Sequence, residues 1–282
     1  MANILPDEFK ALAAYIRNIS GIALDQSKAY LVETRLAGLL KETGCSSYSE
    51  LYFKAKSDVT KKLPEKIIDA MTTGETLFFR DASPFELLQF KILPDLIDRR
   101  TKKGNGSGPM NLRIWSAACS TGQEVYSIAI VLKELGLDRG RFNLRLFGTD
   151  ISDAAVARAS YGIYNNFEIQ RGLPKEKLSQ YFTLNGDSWK IKDELRAHAT
   201  FRKTNLMEDF SNFGKFDIIF CRNVAIYFTE EDRINLFRRI AKALEPDGYL
   251  IIGSTESLTG SCPQFEPKRH IRSVFYQLKG NN

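Results

Sequence analysis

Along the first third of the chain the apolar residues recur only at helical spacing. Phe9, Leu12, Ala13, Ile16 and Ile19 share one face of a helix opened by Pro6 and Asp7 and ended near Gly21. Tyr30, Leu31, Leu36, Leu39 and Leu40 mark a second helix, with Ser27 as its cap and Gly44 as its stop signal. Residues 47–56 and 63–71 read as two shorter helices. Nothing here alternates as a strand would, so residues 1–82 are expected to form an all-α domain. Thr72 to Thr76 make a polar loop, and Phe78, Phe79 and Arg80 follow it. Asp81 and Ser83 are candidate caps for a helix over 84–100, which with a Gly- and Lys-rich solvated loop over 101–110 links (83–110) to the rest of the chain.

From residue 111 the pattern changes. Leu112, Ile114 and Trp115 supply a buried strand, residues 116–122 are a tight turn of small residues, and Val125, Ile128, Ala129 and Leu132 then return to helical spacing. A strand feeding such a turn and helix leaves unpaired N–H groups and a positive dipole end facing a pocket. The next strand, LRLFGTD, ends at Asp150. An acid placed there, roughly 20–30 residues after the turn, can bind the two hydroxyls of a ribose. Ser152 opens a helix to Ala159, residues 161–174 look irregular, and Pro174 starts a short helix ending at Tyr181. Over about 182–202 apolar residues alternate around an Asn185-Gly186 hairpin signal, which predicts a small antiparallel insertion. The strand FDIIFCRN, a helix over 230–244, the strand YLIIGS and SVFYQLK as an antiparallel sheet edge complete a doubly wound α/β domain over 111–282.

Composition narrows the setting. The 282 residues, 43% hydrophobic, suit one large domain or two ordinary ones, and no apolar run is long enough for a membrane span. The start, MANILPDEFK, carries an acid where a secretory signal has a basic flank, so the cytoplasm is the expected compartment. Four scattered cysteines without a CxxC, and only two histidines, His198 and His270, both read as structural, argue against a metal site or a disulfide framework. Cys119 and Cys221 are expected as small buried residues lining the sheet end. The net charge of +6 points weakly to an acidic partner.

The candidate chemistry lies where three strands end, at Ser116, at Asp150 and at Arg222-Asn223, since ligands of open α/β sheets sit beyond the carboxyl ends of the strands. Gly122 is the only glycine of the first turn, so there is no GxGxxG to bring a backbone against pyrophosphate. That favours a nucleoside ligand without phosphates, and S-adenosylmethionine (SAM) fits. Glu124 is either a first-turn acid complementing the helix dipole or a partner for the cofactor's ammonium or for Arg80. Arg80 is either a surface cation or a group folded over the crevice to meet the cofactor carboxylate. Tyr227 is either packing or part of the site. The [ND]PP[FYW]-like loop of nucleic-acid amino-methylating enzymes is absent; its place reads CRNVAIYF.

These same residues resemble the chemotaxis receptor methyltransferases, the CheR family. TTGETLFFRD is similar to the family's TTNETxFFRE, and WSAACSTGQEVYSIAI to its WSAxCSTGEExYSIA. GTDIS, YGIY, RGL, YF, NL at 205–206, FDIIFCRNVAIYF and GSTES follow in the family's order. The resemblance implies a helical N-terminal domain before a Rossmann-like SAM-dependent methyltransferase domain with a small antiparallel β insertion. It implies methyl transfer from SAM to glutamate side chains on the cytoplasmic helical region of chemoreceptors, leaving S-adenosylhomocysteine (SAH). Carried over by motif position, cofactor contacts fall on Gly74, Thr76, Arg80, Glu124, Asp150, Asn205, Leu206, Arg222 and Asn223, with Arg80 and Tyr227 as the catalytic pair near the methyl group and no metal. A related regulator, or a methyltransferase of a receptor-like protein in another signalling pathway, is the competing reading.

The departures matter. Gly74 stands for an Asn and allows only a backbone contact; Gln123 stands for the first Glu of a pair; Ala225 and GSTES depart from the family's usual residues. Of the docking arginines that some relatives carry on the second helix, Arg35 and Lys41 remain, beside Gly38 and Leu40. The hairpin TLNGDSWKIKD is short, so the receptor C-terminal peptide that tethers some relatives is not expected to bind. Neither nucleic acid nor membrane insertion is expected.

Overall fold

A computed structural model describes residues 3–102, 109–138, 140 and 142–280. Four helices come first: α1 (Pro6–Ser20), α2 (Ala29–Thr43), α3 (Tyr48–Ser57) and α4 (Lys62–Met71). Phe9, Leu12 and Ile16 of α1 pack with Leu36 and Leu39 of α2, Leu51 of α3 and Ile67 of α4 in a core of their own. The second helix starts later than its pattern suggested. Ser27 sits in a 3₁₀ turn, and Asp25, not Ser27, is the cap, accepting the Ser27 N–H at 2.9 Å. The helix is turned accordingly: Val32 is buried, whereas Tyr30 is 61% exposed.

Next, α5 (Ser83–Leu87) runs through a π-helical segment at Leu88–Ile92 into α6 (Leu93–Lys102). The widening precedes Pro94, which has no N–H to donate and whose ring would crowd the carbonyl of Phe90 in a regular α-helix. The expected side-chain cap is missing. Ala82 holds the cap position with φ 40°, and the Asp81 carboxylate turns away to Arg222. Of the loop expected over 101–110, residues 103–108 lie outside those described, and the helix itself reaches Lys102.

The remaining elements alternate: β1 (Met110–Ala117), α7 (Gln123–Glu134), β2 (Phe142–Asp150), α8 (Asp153–Tyr161), β3 (Ile163–Asn165), α9 (Asn166–Gln170), α10 (Lys175–Tyr181), β4 (Phe182–Asn185), β5 (Ser188–Ile191), α11 (Asp193–Arg196), β6 (Ala199–Lys203), β7 (Phe216–Cys221), α12 (Glu230–Ala243), β8 (Leu244–Ile252), β9 (Phe265–His270) and β10 (Ser273–Leu278). The main sheet has the order β6-β2-β1-β7-β8-β10-β9, with the first five strands parallel. Successive residues of β1 face opposite layers: Leu112 and Ile114 enter the core beneath α7, Trp115 and Ala117 the core beneath α12. This is the Rossmann-like arrangement, and the strand order reverses between β1 and β7, where a crevice is expected.

Three readings of the sequence change. The stretch 161–174 is not irregular: it holds β3 and α9, and β3 completes a three-stranded antiparallel sheet, β3-β5-β4. Three residues are too few to show a period. Phe201, read with that insertion, lies in β6 and pairs with Gly148 in the main sheet, so the insertion's strands end at Ile191. The sheet edge is β9, antiparallel to β10; its Glu, Pro, Lys, Arg and His residues gave no alternation to read. Among the described residues no helix is long and apolar enough to cross a membrane.

Candidate active site

At the reversal point a cavity of about 370 Å³ opens beyond the carboxyl ends of β1, β2 and β7. All ten residues singled out in the sequence line it: Gly74, Thr76, Arg80, Glu124, Asp150, Asn205, Leu206, Arg222, Asn223 and Tyr227. The helical layer supplies part of the wall, through Ser20, Ile22, Asp69 and Met71, which no sequence signal identified. It is fastened there by contacts between residues far apart in the chain. Asn205 Nδ2 donates to the Ile19 carbonyl (3.0 Å), the Ala23 N–H donates to the Tyr227 carbonyl (2.8 Å), and Lys203 pairs with Glu65 (2.5 Å).

Asp150 forms the floor. Its two oxygens accept the N–H groups of Ser120 (2.8 Å) and Ser152 (3.0 Å). Burial pushes its pKa above the ordinary carboxylate value, although those two hydrogen bonds work the other way. The β1–α7 turn bends through left-handed residues at Ala118, Ser120 and Gly122. At Gly122, φ 94°, a Cβ would also stand 3.0 Å from that of Ala159, so only glycine lets α7 start this close to α8. The Ser120 hydroxyl donates to the Gly74 carbonyl (2.9 Å) and brings the polar loop onto the floor. Cys119 and Cys221 are buried, and desolvation raises both thiols far above the usual range, so both are inert small residues; Cys119 lines the cavity, and Cys221 lies at the end of β7 behind it.

The far wall is an arginine cluster that corrects the reading of Glu124. Glu124 pairs with Arg222 and not with Arg80: its Oε2 lies 2.8 Å from Arg222 Nη1, and its Oε1 accepts the Ser116 hydroxyl (2.8 Å). Arg222 Nη2 reaches Asp81 (2.7 Å) and the Arg80 carbonyl (2.9 Å). The Arg222 side chain is 2% exposed and both its terminal nitrogens are engaged, which leaves Nε as the guanidinium nitrogen without a partner among the described residues. The Arg80 side chain makes one hydrogen bond among the described residues, to the Glu75 carbonyl (3.2 Å). Asn205, too, is partly committed: its Oδ1 accepts the Met207 N–H. Asn223 has φ 57° and gives its N–H to Glu256 (2.8 Å), which also takes the Gly253 N–H (2.7 Å). Tyr227 ends a 3₁₀ turn, Ala225–Tyr227, at the rim.

Arg35 is also placed differently from a docking arginine. Its guanidinium donates to the Met71 carbonyl (2.6 Å) and to Thr73 Oγ1 (3.0 Å), holding the start of the polar loop, while Lys41 stays exposed. Among the described residues no group of His, Cys, Asp and Glu could hold a metal ion.

Residues 7–72 match the family model of the CheR methyltransferase all-alpha domain, and residues 74–273 that of the CheR methyltransferase SAM-binding domain. The chain is 37% identical over 276 residues to the chemotaxis protein methyltransferase Cher2 of Pseudomonas putida, covering 96% of this chain and 98% of that one. It is 38% identical over 279 residues to chemotaxis protein methyltransferase 1 of Vibrio cholerae (98% of each chain), and 39% identical over 263 residues to the chemotaxis protein methyltransferase of Borreliella burgdorferi (92% and 91%).

Proposed function

The chain belongs to the CheR family of SAM-dependent chemotaxis methyltransferases, and from that premise we propose that it methylates glutamate side chains of chemoreceptors, giving glutamate methyl esters and SAH. The observation that carries the reading is the convergence of ten residues, spread from Gly74 to Tyr227, on one cavity at the sheet reversal. The residues present also fit the cofactor. Asp150 spends two acceptor positions on backbone N–H groups and keeps others for the two ribose hydroxyls. The Ser120 N–H, which a phosphate would need, is already given to Asp150.

In this reading Asp150 holds the ribose, and Gly74, Thr76, Asn205, Leu206 and the backbones of Arg222 and Asn223 complete the cradle. Glu124 supports the amino acid end through its ammonium, and Arg80 through its carboxylate. When bound, the cofactor supplies a methyl group already activated on a sulfonium. A glutamate with a pKa near about 4.3 is ionised at pH 7, so the chain need provide no general base. Arg80 and Tyr227 orient the groups around the methyl, and the cavity walls exclude water. Opposite charges then meet in a low-dielectric site, where alignment is the main catalytic contribution.

The exposed lysines of the helical layer, Lys28, Lys41, Lys54, Lys56, Lys61 and Lys62, suit an acidic helical region of the receptor. The strands of the insertion are four residues or shorter, which supports the absence of a peptide tether. The test is a labelled-methyl assay on receptor fragments. Transfer should yield label that mild base releases as methanol, and the rate should fall with added salt. Base-stable label would place the methyl on nitrogen and defeat the glutamate reading. Micromolar binding of a receptor C-terminal peptide to the protein would defeat the tether-free one.

A further inference from the structure

We propose that Asp81 is a positioning residue for Arg80, acting through Arg222. Residues 79–82 form a turn in which three non-glycine residues are left-handed: Phe79 (φ 51°), Asp81 (φ 67°) and Ala82 (φ 40°). Such backbone persists only where the surroundings impose it. Here four hydrogen bonds do so. The Phe79 N–H donates to the buried Ser127 hydroxyl (2.9 Å), the Ala82 N–H donates to the Phe79 carbonyl (2.9 Å), and Arg222 Nη2 holds both the Arg80 carbonyl (2.9 Å) and the Asp81 carboxylate (2.7 Å).

Arg222 cannot shift to follow the turn. Its other terminal nitrogen is fixed to Glu124 at the start of α7, and its side chain is buried. The Asp81 carboxylate therefore locks the peptide on one side of Arg80 to the far wall of the site. Among the described residues the Arg80 side chain itself has one hydrogen bond to direct it, to the Glu75 carbonyl, so its aim into the cavity is set by its backbone. Asp81 stands one residue before the cap position, which Ala82 holds; its carboxylate is used for this lock, and α5 begins without a side-chain cap.

The inference rests on the reading that Arg80 meets the bound cofactor, and its test does not require the methyl acceptor to be known. Calorimetric affinity for SAH is measured for the wild type, Asp81→Asn, Arg80→Ala and the double variant. Asp81→Asn should weaken binding about tenfold in the wild-type background and less than about twofold beside Arg80→Ala, the non-additivity expected of groups acting as one unit. Asp81→Glu, which keeps the charge, should recover part of the loss. An equal loss in both backgrounds, or none in the first, overturns the proposal. If Asp81→Asn does not fold, Asp81→Glu decides in the same cycle: moving the carboxylate by one methylene should weaken SAH binding more in the wild-type background than beside Arg80→Ala, and an equal effect in both backgrounds, or none, overturns the proposal. A wild type that binds SAH but methylates no glutamate would defeat the proposed function and leave this cycle readable.

Discussion

Strand β7 has a buried arginine cluster at each end. At its start, Asp217 pairs with Arg100 and accepts the Arg113 N–H (2.6 Å), and Asp247 stands 3.5 Å from the same guanidinium. Just past its other end, Arg222 is held between Asp81 and Glu124. The chemistry is the same: one well-covered guanidinium between two carboxylates. The setting is not. The first cluster ties α6 to regular strands, where every partner sits on a rigid element. The second ties a strained turn to a helix start, beside the cavity at the strand reversal. A buried ion pair is therefore not itself a mark of function. Its place beyond the carboxyl ends of a parallel sheet is.

If that contrast holds, the two ends should respond to different measurements. The largest effect is expected at the structural end. Asp217→Asn leaves Arg100 short of its close partner and should cost about 3 kcal/mol in urea unfolding. SAH affinity of the folded fraction should not change; a parallel loss of affinity would break the comparison. At the cavity end the order reverses. Asp150→Ala should weaken SAM binding by about 1–3 kcal/mol, from loss of a charged hydrogen-bond acceptor, with no fall in the unfolding midpoint. Unaltered affinity would remove Asp150 from the ribose.

Acidity sharpens the same point. Burial raises the Asp150 pKa above its unfolded value, so the folded chain binds that proton more tightly than the unfolded chain does. For the ligand-free protein this group therefore favours folding below the ordinary carboxylate pKa, and that contribution is lost as pH rises through the raised value. Cofactor binding needs the carboxylate and runs the other way. SAM affinity should fall on acidification, starting above the ordinary aspartate range, and Asp150→Asn should flatten the profile. An equally steep profile in the Asn variant would assign the titration elsewhere. The smallest effect belongs to the half-exposed Glu65–Lys203 pair between the helical layer and β6. Glu65→Ala should cost under about 1 kcal/mol, and less at high salt.

Much of this contrast was legible along the chain, but unevenly. The β1 turn and Asp150 were readable because the relevant residues sit together: a strand, a run of small residues and a helix in one stretch, then an acid at the next strand's end. The place of Glu124 is local, but its partner is not, since its choice between Arg80 and Arg222 depends on where two distant segments meet. Asp81 has the residue type of a helix cap and of an ion-pair partner alike, and only the direction of its carboxylate separates the two. β3 is too short to show a period, and β9 is an edge strand with little to bury, so neither has a pattern to read.

Local pattern alone is enough for the long helices, the core strands with their order, and the identity of the groups at the strand ends. Hydrophobic periodicity and turn chemistry are local, and each is complete within a dozen residues. The tertiary structure alone decided which sheet β6 joins, that the helical layer walls the cavity with Asp69 and Met71, and that Arg222 gives its charge to Asp81 and Glu124. Those outcomes depend on contacts across some 50 to 190 residues. They arise because a buried guanidinium must be paired and a buried carbonyl must find a donor, and the partner is whatever the packed chain brings within reach.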